Sequence, residues 1–272
     1  MDDRPIGVFD SGLGGLTAVR ELRRILPAED IIYFGDTARL PYGNRPRETI
    51  LKYARQDMAF LRGFDLKAVL VACGTVSTTS LDVLQAENDI PVLGVVEPSV
   101  RSALALTRSG RVGMVATVAS VRSGAYQRLF RALAPAVEVT AAACPLFVPL
   151  VENGRVAPGD IVIETVAREY LSPIRDAGVD ALVLGCTHYP LLTGVIGAVM
   201  GPSVALIDSG AAAALALRDL LAERDALARP RQGQAAYYTS DRAEDFRRLA
   251  GLFLREDTAP QVEQVDIDRY GL

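Results

Sequence analysis

Apolar residues along this chain follow two alternating rhythms. Short continuous runs fall at residues 6–9, 31–34, 69–71, 92–96, 112–116, 137–142, 181–184 and 204–207. Between them, apolar positions recur every three or four residues, as at Leu16, Val19 and Leu22, or Ile50, Ala54, Met58 and Leu61. The runs have the length and β-branching of buried strands, and the spaced stretches have the period of amphipathic helices. Strict alternation of this kind predicts parallel sheets with helices on both faces. Further strands are expected at 237–239 and 262–265, with a helix over 243–254 between them. Residues 144–154, with Pro145, Pro149 and Glu152-Asn153-Gly154, read as irregular.

Two stretches share one grammar. An aliphatic strand ends at Cys73, followed by Gly74-Thr75 and a helical pattern through Leu81 and Leu84. Another ends at Gly185-Cys186, followed by Thr187-His188-Tyr189-Pro190 and a second helix start. The spacing extends beyond the thiols. Phe9-Asp10-Ser11 aligns with Ala116-Thr117-Val118, and Glu97 with Asp208, each about 110 residues apart, the size of a small α/β unit. The expected fold class is therefore α/β: two pseudo-symmetric, doubly wound, flavodoxin-like domains with parallel sheets and a cleft between them. Ligands in such sheets sit at the carboxyl ends of the strands, so two similar domains facing each other would bring Cys73 and Cys186 to one cleft.

Composition narrows the classes. A net charge of −4 over 272 residues, with arginines scattered along polar helix faces, offers no basic surface for nucleic acid. Three cysteines without disulfide-scaffold spacing suit a reducing compartment. The start, Met1-Asp2-Asp3-Arg4-Pro5, lacks the basic and long apolar character of a signal peptide. The apolar stretch 194–217 is divided by Gly201-Pro202-Ser203 and Asp208-Ser209-Gly210, and reads as core rather than as a membrane span. A cytoplasmic protein with no membrane and no nucleic-acid partner is expected.

The candidate chemistry is proton transfer. Two thiols on opposite sides of a carbon centre can remove a proton from one face and deliver one to the other. A cysteine at a helix start is expected to be biased toward thiolate. Asp10 is positioned to assist Cys73, and His188, the sole histidine, to assist Cys186. Other chemistries fit poorly. A dinucleotide fingerprint after Gly12-Leu13-Gly14-Gly15 would want glycine where Thr17 stands. A Schiff-base cofactor would have only Lys52 or Lys67 to hold it. A metal at Cys186-x-His188 would find only the distant Cys144 or carboxylates to complete its ligands. Cys144 itself reads as a core filler.

The runs Phe9-Asp10-Ser11-Gly12-Leu13-Gly14-Gly15, Gly35-Asp36-Thr37-Ala38-Arg39-Leu40-Pro41-Tyr42-Gly43, Ala72-Cys73-Gly74-Thr75 and Leu184-Gly185-Cys186-Thr187-His188-Tyr189-Pro190 strongly resemble the glutamate racemase family. The resemblance spans most of the chain. It implies cofactor-independent interconversion of L- and D-glutamate, with D-glutamate supplied for peptidoglycan, by a homodimer. It further implies that Cys73 and Cys186 are the two bases, with Asp10, Glu152 and His188 as assisting acid/base groups. Asp10, Ser11, Tyr42, Gly43, Gly74, Thr75, Thr187 and His188 would hold the amino acid, and no metal would be bound. Family architecture implies a discontinuous first domain, 1–97 plus 210–272, around a second at 98–209. One residue departs from the family pattern: Gly74 stands where asparagine is usual. On sequence grounds, loss of that amide and a looser turn predict weaker glutamate binding or turnover than in a Gly74→Asn version.

Overall fold

The computed structural model describes residues 1–257 and 260–271; Thr258, Ala259 and Leu272, within the expected 210–272 segment, lie outside the described residues. In chain order the elements are β1 (Ile6–Asp10), α1 (Leu16–Ile25), β2 (Ile31–Gly35), α2 (Arg47–Leu61), β3 (Ala68–Val71), α3 (Gly74–Thr79), α4 (Leu81–Ala86) and β4 (Val92–Gly94). Next come α5 (Val96–Leu106), β5 (Arg111–Ala116), α6 (Val118–Ser123), α7 (Ala125–Leu133), β6 (Glu138–Ala143), α8 (Phe147–Glu152), α9 (Ile161–Asp176) and β7 (Ala181–Leu184). The chain ends with α10 (Thr193–Met200), β8 (Ala205–Asp208), α11 (Ser209–Glu223), β9 (Ala235–Thr239), α12 (Ala243–Leu254) and β10 (Val262–Gln264).

All the strand pairings are parallel, in two sheets ordered β10-β9-β2-β1-β3-β4 and β6-β5-β7-β8. The order β2-β1-β3-β4 recurs as β6-β5-β7-β8, so the internal repeat read from the sequence is a repeat of topology. Parallel strands are covered on both faces, which is why β1, β3 and β7 are buried at every position and read as unbroken apolar runs. In each sheet the strand order reverses direction between the first and third strands of the unit. A crevice forms at such a switch point, here beyond β1 and β3 in one sheet and beyond β5 and β7 in the other.

Several elements differ from the sequence expectation. The irregular stretch 144–154 contains α8, because Pro149 falls in its first turn, where a missing N–H costs no helical hydrogen bond. The side chain of Phe147 anchors α8 edge-on against Tyr189 and Tyr170. Strand β4 stops at Gly94, and Glu97 lies in the first turn of α5, where it pairs on the surface with Arg101. Asp208 instead caps α11, accepting from the amides of Gly210 at 2.8 Å and Ala211 at 3.1 Å. The expected match of Glu97 with Asp208 therefore does not hold: Asp208 pairs with Leu184 as Gly94 pairs with Val71, so Gly94 is its counterpart and Glu97 lies three residues further on. The helix after Cys73 is broken at Ser80 into α3 and α4. Helix α6, absent from the periodicity, is capped by Thr117 and closed by Gly124 in the left-handed region (φ 67°).

A buried ion pair ties the beginning and end of the first sheet together. The Lys67 ammonium, at the entry to β3, pairs with Glu29 and donates to the carbonyls of Asp2 at 2.7 Å and Ala226 at 2.9 Å. Both side chains are almost wholly enclosed, so removing one partner strands a charge. Lys67→Met is expected to lower unfolding free energy by about 3–5 kcal/mol in a urea titration, and adding Glu29→Leu should restore most of it.

Candidate active site

Cys73 follows β3 and is the residue before α3; Cys186 follows β7. Each thiol thus emerges at a switch point. Both sulfur-bearing residues are buried and line a single cavity of ≈ 270 Å³, together with Ser11, Thr117, Glu152 and His188. That volume lies at the small end of ligand pockets, which run to roughly 1,000 Å³, and suits a molecule of amino-acid size. A wider open groove of ≈ 810 Å³ lies alongside α3 and α6 but reaches neither thiol.

Around Cys73, the thiol donates to Ser11 Oγ at 3.5 Å. Asp10 ends β1 fully buried; its Oδ2 accepts from the Gly12 amide at 3.0 Å, while Oδ1 has no partner among the described residues. Burial pushes the Asp10 carboxyl above its ordinary range, with His188 and nearby amides opposing the shift. Burial also pushes the Cys73 thiol up to about 12, and the Asp10 charge adds to it. The expected thiolate bias is thus reversed: α3 has only six residues, and enclosure beside a carboxylate outweighs its amide ends.

The second thiol has a different neighbourhood. Cys186 Sγ lies 4.0 Å from His188 Nδ1, and His188 Nε2 lies 3.1 Å from Glu152 Oε1 at the end of α8. Burial works against charge on this imidazole, but hydrogen bonding to Cys186 and Glu152 outweighs burial and its pKa is pushed up to about 10. The ring edge also packs on Phe253 of α12, 5.2 Å between centroids. The sole histidine is therefore biased toward its charged form beside Cys186.

The loop 36–44 is set by a buried polar cluster. The Arg39 guanidinium donates to Asp36 at 2.6 Å and Asp57 at 3.0 Å and stacks over Tyr53 at 4.3 Å. Tyr42 donates its hydroxyl to Asp36, and Ser240 donates to the other Asp36 oxygen at 2.7 Å. Burial, with Asp36 beside it, drives the Asp57 carboxyl well above the usual range. Tyr42 and Gly43 do line the cavity, but the Tyr42 hydroxyl is committed to this cluster, which leaves the ring and the backbone to face a ligand.

Asp10 is not among the residues lining the cavity, whereas Ser11, Tyr42, Gly43, Gly74, Thr75, Thr187 and His188 all line it. Thr117 was not singled out from the sequence. Its hydroxyl meets Thr75 Oγ1 at 3.0 Å across the two sheets. The registers Phe9–Val71 and Val115–Leu184 make Thr117 the counterpart of Ser11, and Ala116 that of Asp10, one residue off the alignment expected from sequence. Cys144 also lines the cavity, so it is more than a core filler, and burial pushes its thiol up. Gly74 has an ordinary helical backbone rather than a loose turn, and its α-carbon abuts the Gly185 carbonyl, so the sequence-based account of this residue needs revision.

Two strand-end thiols thus line one cavity at the switch points of two repeated parallel sheets. Residues 6–217 match the family described as Asp/Glu/Hydantoin racemase, and the chain belongs to that family. It is similar to the glutamate racemase of Geobacter metallireducens, 48% identical over 256 residues, covering 93% of this chain and 94% of that one. It is similar also to that of Streptococcus gordonii, 44% identical over 270 residues, covering 98% and 100%. Among solved structures, glutamate racemase isoform RacE1 from Bacillus anthracis superposes with a TM-score of 0.94 at 34% identity, covering 98% of each chain. The Francisella tularensis glutamate racemase, solved in complex with D-glutamate, gives 0.90 at 41% identity, covering 99% and 100%. The protein is thus an amino-acid racemase, an isomerase.

Because the chain holds one histidine, a single imidazole signal reports His188 in an NMR titration. Its midpoint is expected near 10 rather than near the ordinary 6.5, and Glu152→Gln should move it down. A folded value above the unfolded one means that His188 stabilises the fold fully below about pH 6.5 and ceases to do so as pH rises through about 10. Unfolding free energy should fall over that window, and less steeply in Glu152→Gln.

Proposed function

We propose that this chain interconverts L- and D-glutamate by transferring protons between the substrate Cα and two thiols, Cys73 and Cys186, without a cofactor. The thiolate on one side takes the Cα proton, breaking C–H and forming S–H, and the electron pair passes into the adjoining carboxylate system. The thiol on the other side then gives its proton to the opposite face, and its S–H electron pair remains as thiolate. The product leaves with inverted configuration, and the two sulfurs have exchanged protonation states. Asp10 beside Cys73 and the His188–Glu152 pair beside Cys186 act as the assisting acid/base groups that reset each thiol. Ser11, Tyr42, Gly43, Gly74, Thr75, Thr187 and His188 hold the amino acid.

The single observation that carries this reading is that both thiols line one amino-acid-sized cavity. The choice of glutamate is supported by the full-length relatives named for it and by the Francisella structure holding D-glutamate. In the same reading, D-glutamate is supplied for peptidoglycan in the cytoplasm by a homodimer, with residues 1–97 plus 210–272 as one domain and 98–209 as the other. Among the described residues no helix is long and apolar enough to cross a membrane.

In D₂O, L-glutamate incubated with the protein should yield D-glutamate carrying deuterium at Cα, with aspartate as the competing substrate. Cys73→Ala and Cys186→Ala should each lower racemisation by at least the 10²–10⁴-fold typical of losing a positioned acid or base. Glutamate binding without label uptake would mark an amino-acid-binding protein instead, and racemisation surviving both changes would remove the thiols from the chemistry.

A further inference from the structure

Where the two halves meet around the cavity, three glycines of the first sheet's loops face the second. A β-carbon at Gly43 would stand 3.0 Å from Thr117 Cβ, and one at Gly14 would overlap the side chains of Thr187 and His188. Those neighbours are side chains. Gly74 is different: a β-carbon there would overlap the backbone carbonyl oxygen of Gly185, with the Gly185 carbonyl carbon at 3.3 Å and Cys186 Cα at 3.9 Å. A backbone carbonyl cannot rotate away as a side chain can, and this one is fixed from behind, since the Gly185 amide donates to the Val115 carbonyl at 2.8 Å. Gly74 directly follows Cys73, and Gly185 directly precedes Cys186. The contact therefore joins the two peptide segments that carry the thiols.

The backbone at Gly74 is helical and does not itself require glycine. What requires glycine is the approach of the other turn. We infer that Gly74 is a positioning residue: by lacking a β-carbon, it sets how closely the Cys73 and Cys186 turns come together, and hence whether one substrate carbon can reach both sulfurs. This inference rests on the two-thiol reading above and adds to it a residue that contributes spacing rather than a functional group. It also reverses the expectation drawn from sequence, in which the missing asparagine amide is a handicap. Any side chain at 74 has to part the turns by roughly half an ångström to one ångström before its β-carbon reaches ordinary contact, a displacement of the size that costs up to about 10²-fold in rate.

Widening the gap has a signature distinct from general damage. A proton removed by one thiolate can still be exchanged with solvent and returned from the same side, but delivery from the opposite side becomes slower. In Gly74→Ala and Gly74→Asn, racemisation in D₂O should therefore fall by about tenfold to a hundredfold, while the ratio of Cα deuterium exchange without inversion to inversion rises. The melting temperature of Gly74→Ala should fall modestly, because the strain of parting the turns is only partly offset by replacing glycine within a helix. A crystal structure of that variant should show the two turns further apart. Racemisation at the wild-type rate, a gain in Gly74→Asn, exchange and inversion falling in parallel, or turns at unchanged separation would each overturn the inference. Failure of the two-thiol reading appears separately, as a wild-type protein that does not invert glutamate or as activity that survives Cys73→Ala and Cys186→Ala.

Discussion

The geometry of this protein depends on backbone meeting backbone. Two repeated parallel sheets would leave an open trough between their strand ends if ordinary side chains lined both rims. Instead, Gly14, Gly43 and Gly74 let the loops of one sheet rest directly on Thr187–His188, Thr117 and Gly185 of the other. Short polar bonds then fix the alignment: Thr17 Oγ1 donates to the Thr187 carbonyl at 2.9 Å, and the Thr75 and Thr117 hydroxyls meet at 3.0 Å. The result is a small enclosed space, and enclosure dominates the electrostatics inside it.

That enclosure explains why the protonation pattern differs from the one the helix ends suggest. A cysteine at a helix start is biased toward thiolate by a dipole worth roughly half a charge, an effect that fades within the first turn. Desolvation and a neighbouring carboxylate act in the other direction and win at Cys73. At His188 the balance runs the opposite way, because two partners, Cys186 and Glu152, reward the charged form more than burial penalises it. Occupation of the cavity by a charged ligand necessarily changes both balances, since the groups are separated from bulk water and respond to the nearest charge.

Much of this was visible in the one-dimensional pattern. Buried parallel strands leave unbroken apolar runs, and the matched Cys73 and Cys186 units reveal the repeat. What escaped has physical causes. Helices α6 and α8 are only six residues long, too short to establish a period, and α8 carries two features that ordinarily signal a loop, a proline and a position next to Cys144-Pro145. The commitment of the Tyr42 hydroxyl to Asp36 depends on Arg39, Asp57 and Ser240, which come from three separate parts of the chain. The reason for Gly74 lies 111 positions away at Gly185, so no local reading of the turn could distinguish a loose glycine from a tightly packed one.

The repeat is one of backbone and not of chemistry, and this asymmetry follows from the substrate. Two enantiomers presented to a chiral cavity share a reacting carbon but not the arrangement of their other groups, so the two sides of the cavity cannot be served by identical surroundings. At equivalent strand ends the first half offers Asp10 and the second Ala116; behind the thiols, the first half sets a buried carboxylate and the second an imidazole that Glu152 biases toward its charged form. One flank thus stabilises a protonated thiol, and the other favours a proton on a neighbouring ring. A proton relay that runs in both directions works from one thiol and one thiolate; the charge on one sulfur already disfavours ionisation of the other, and unequal surroundings add to that separation.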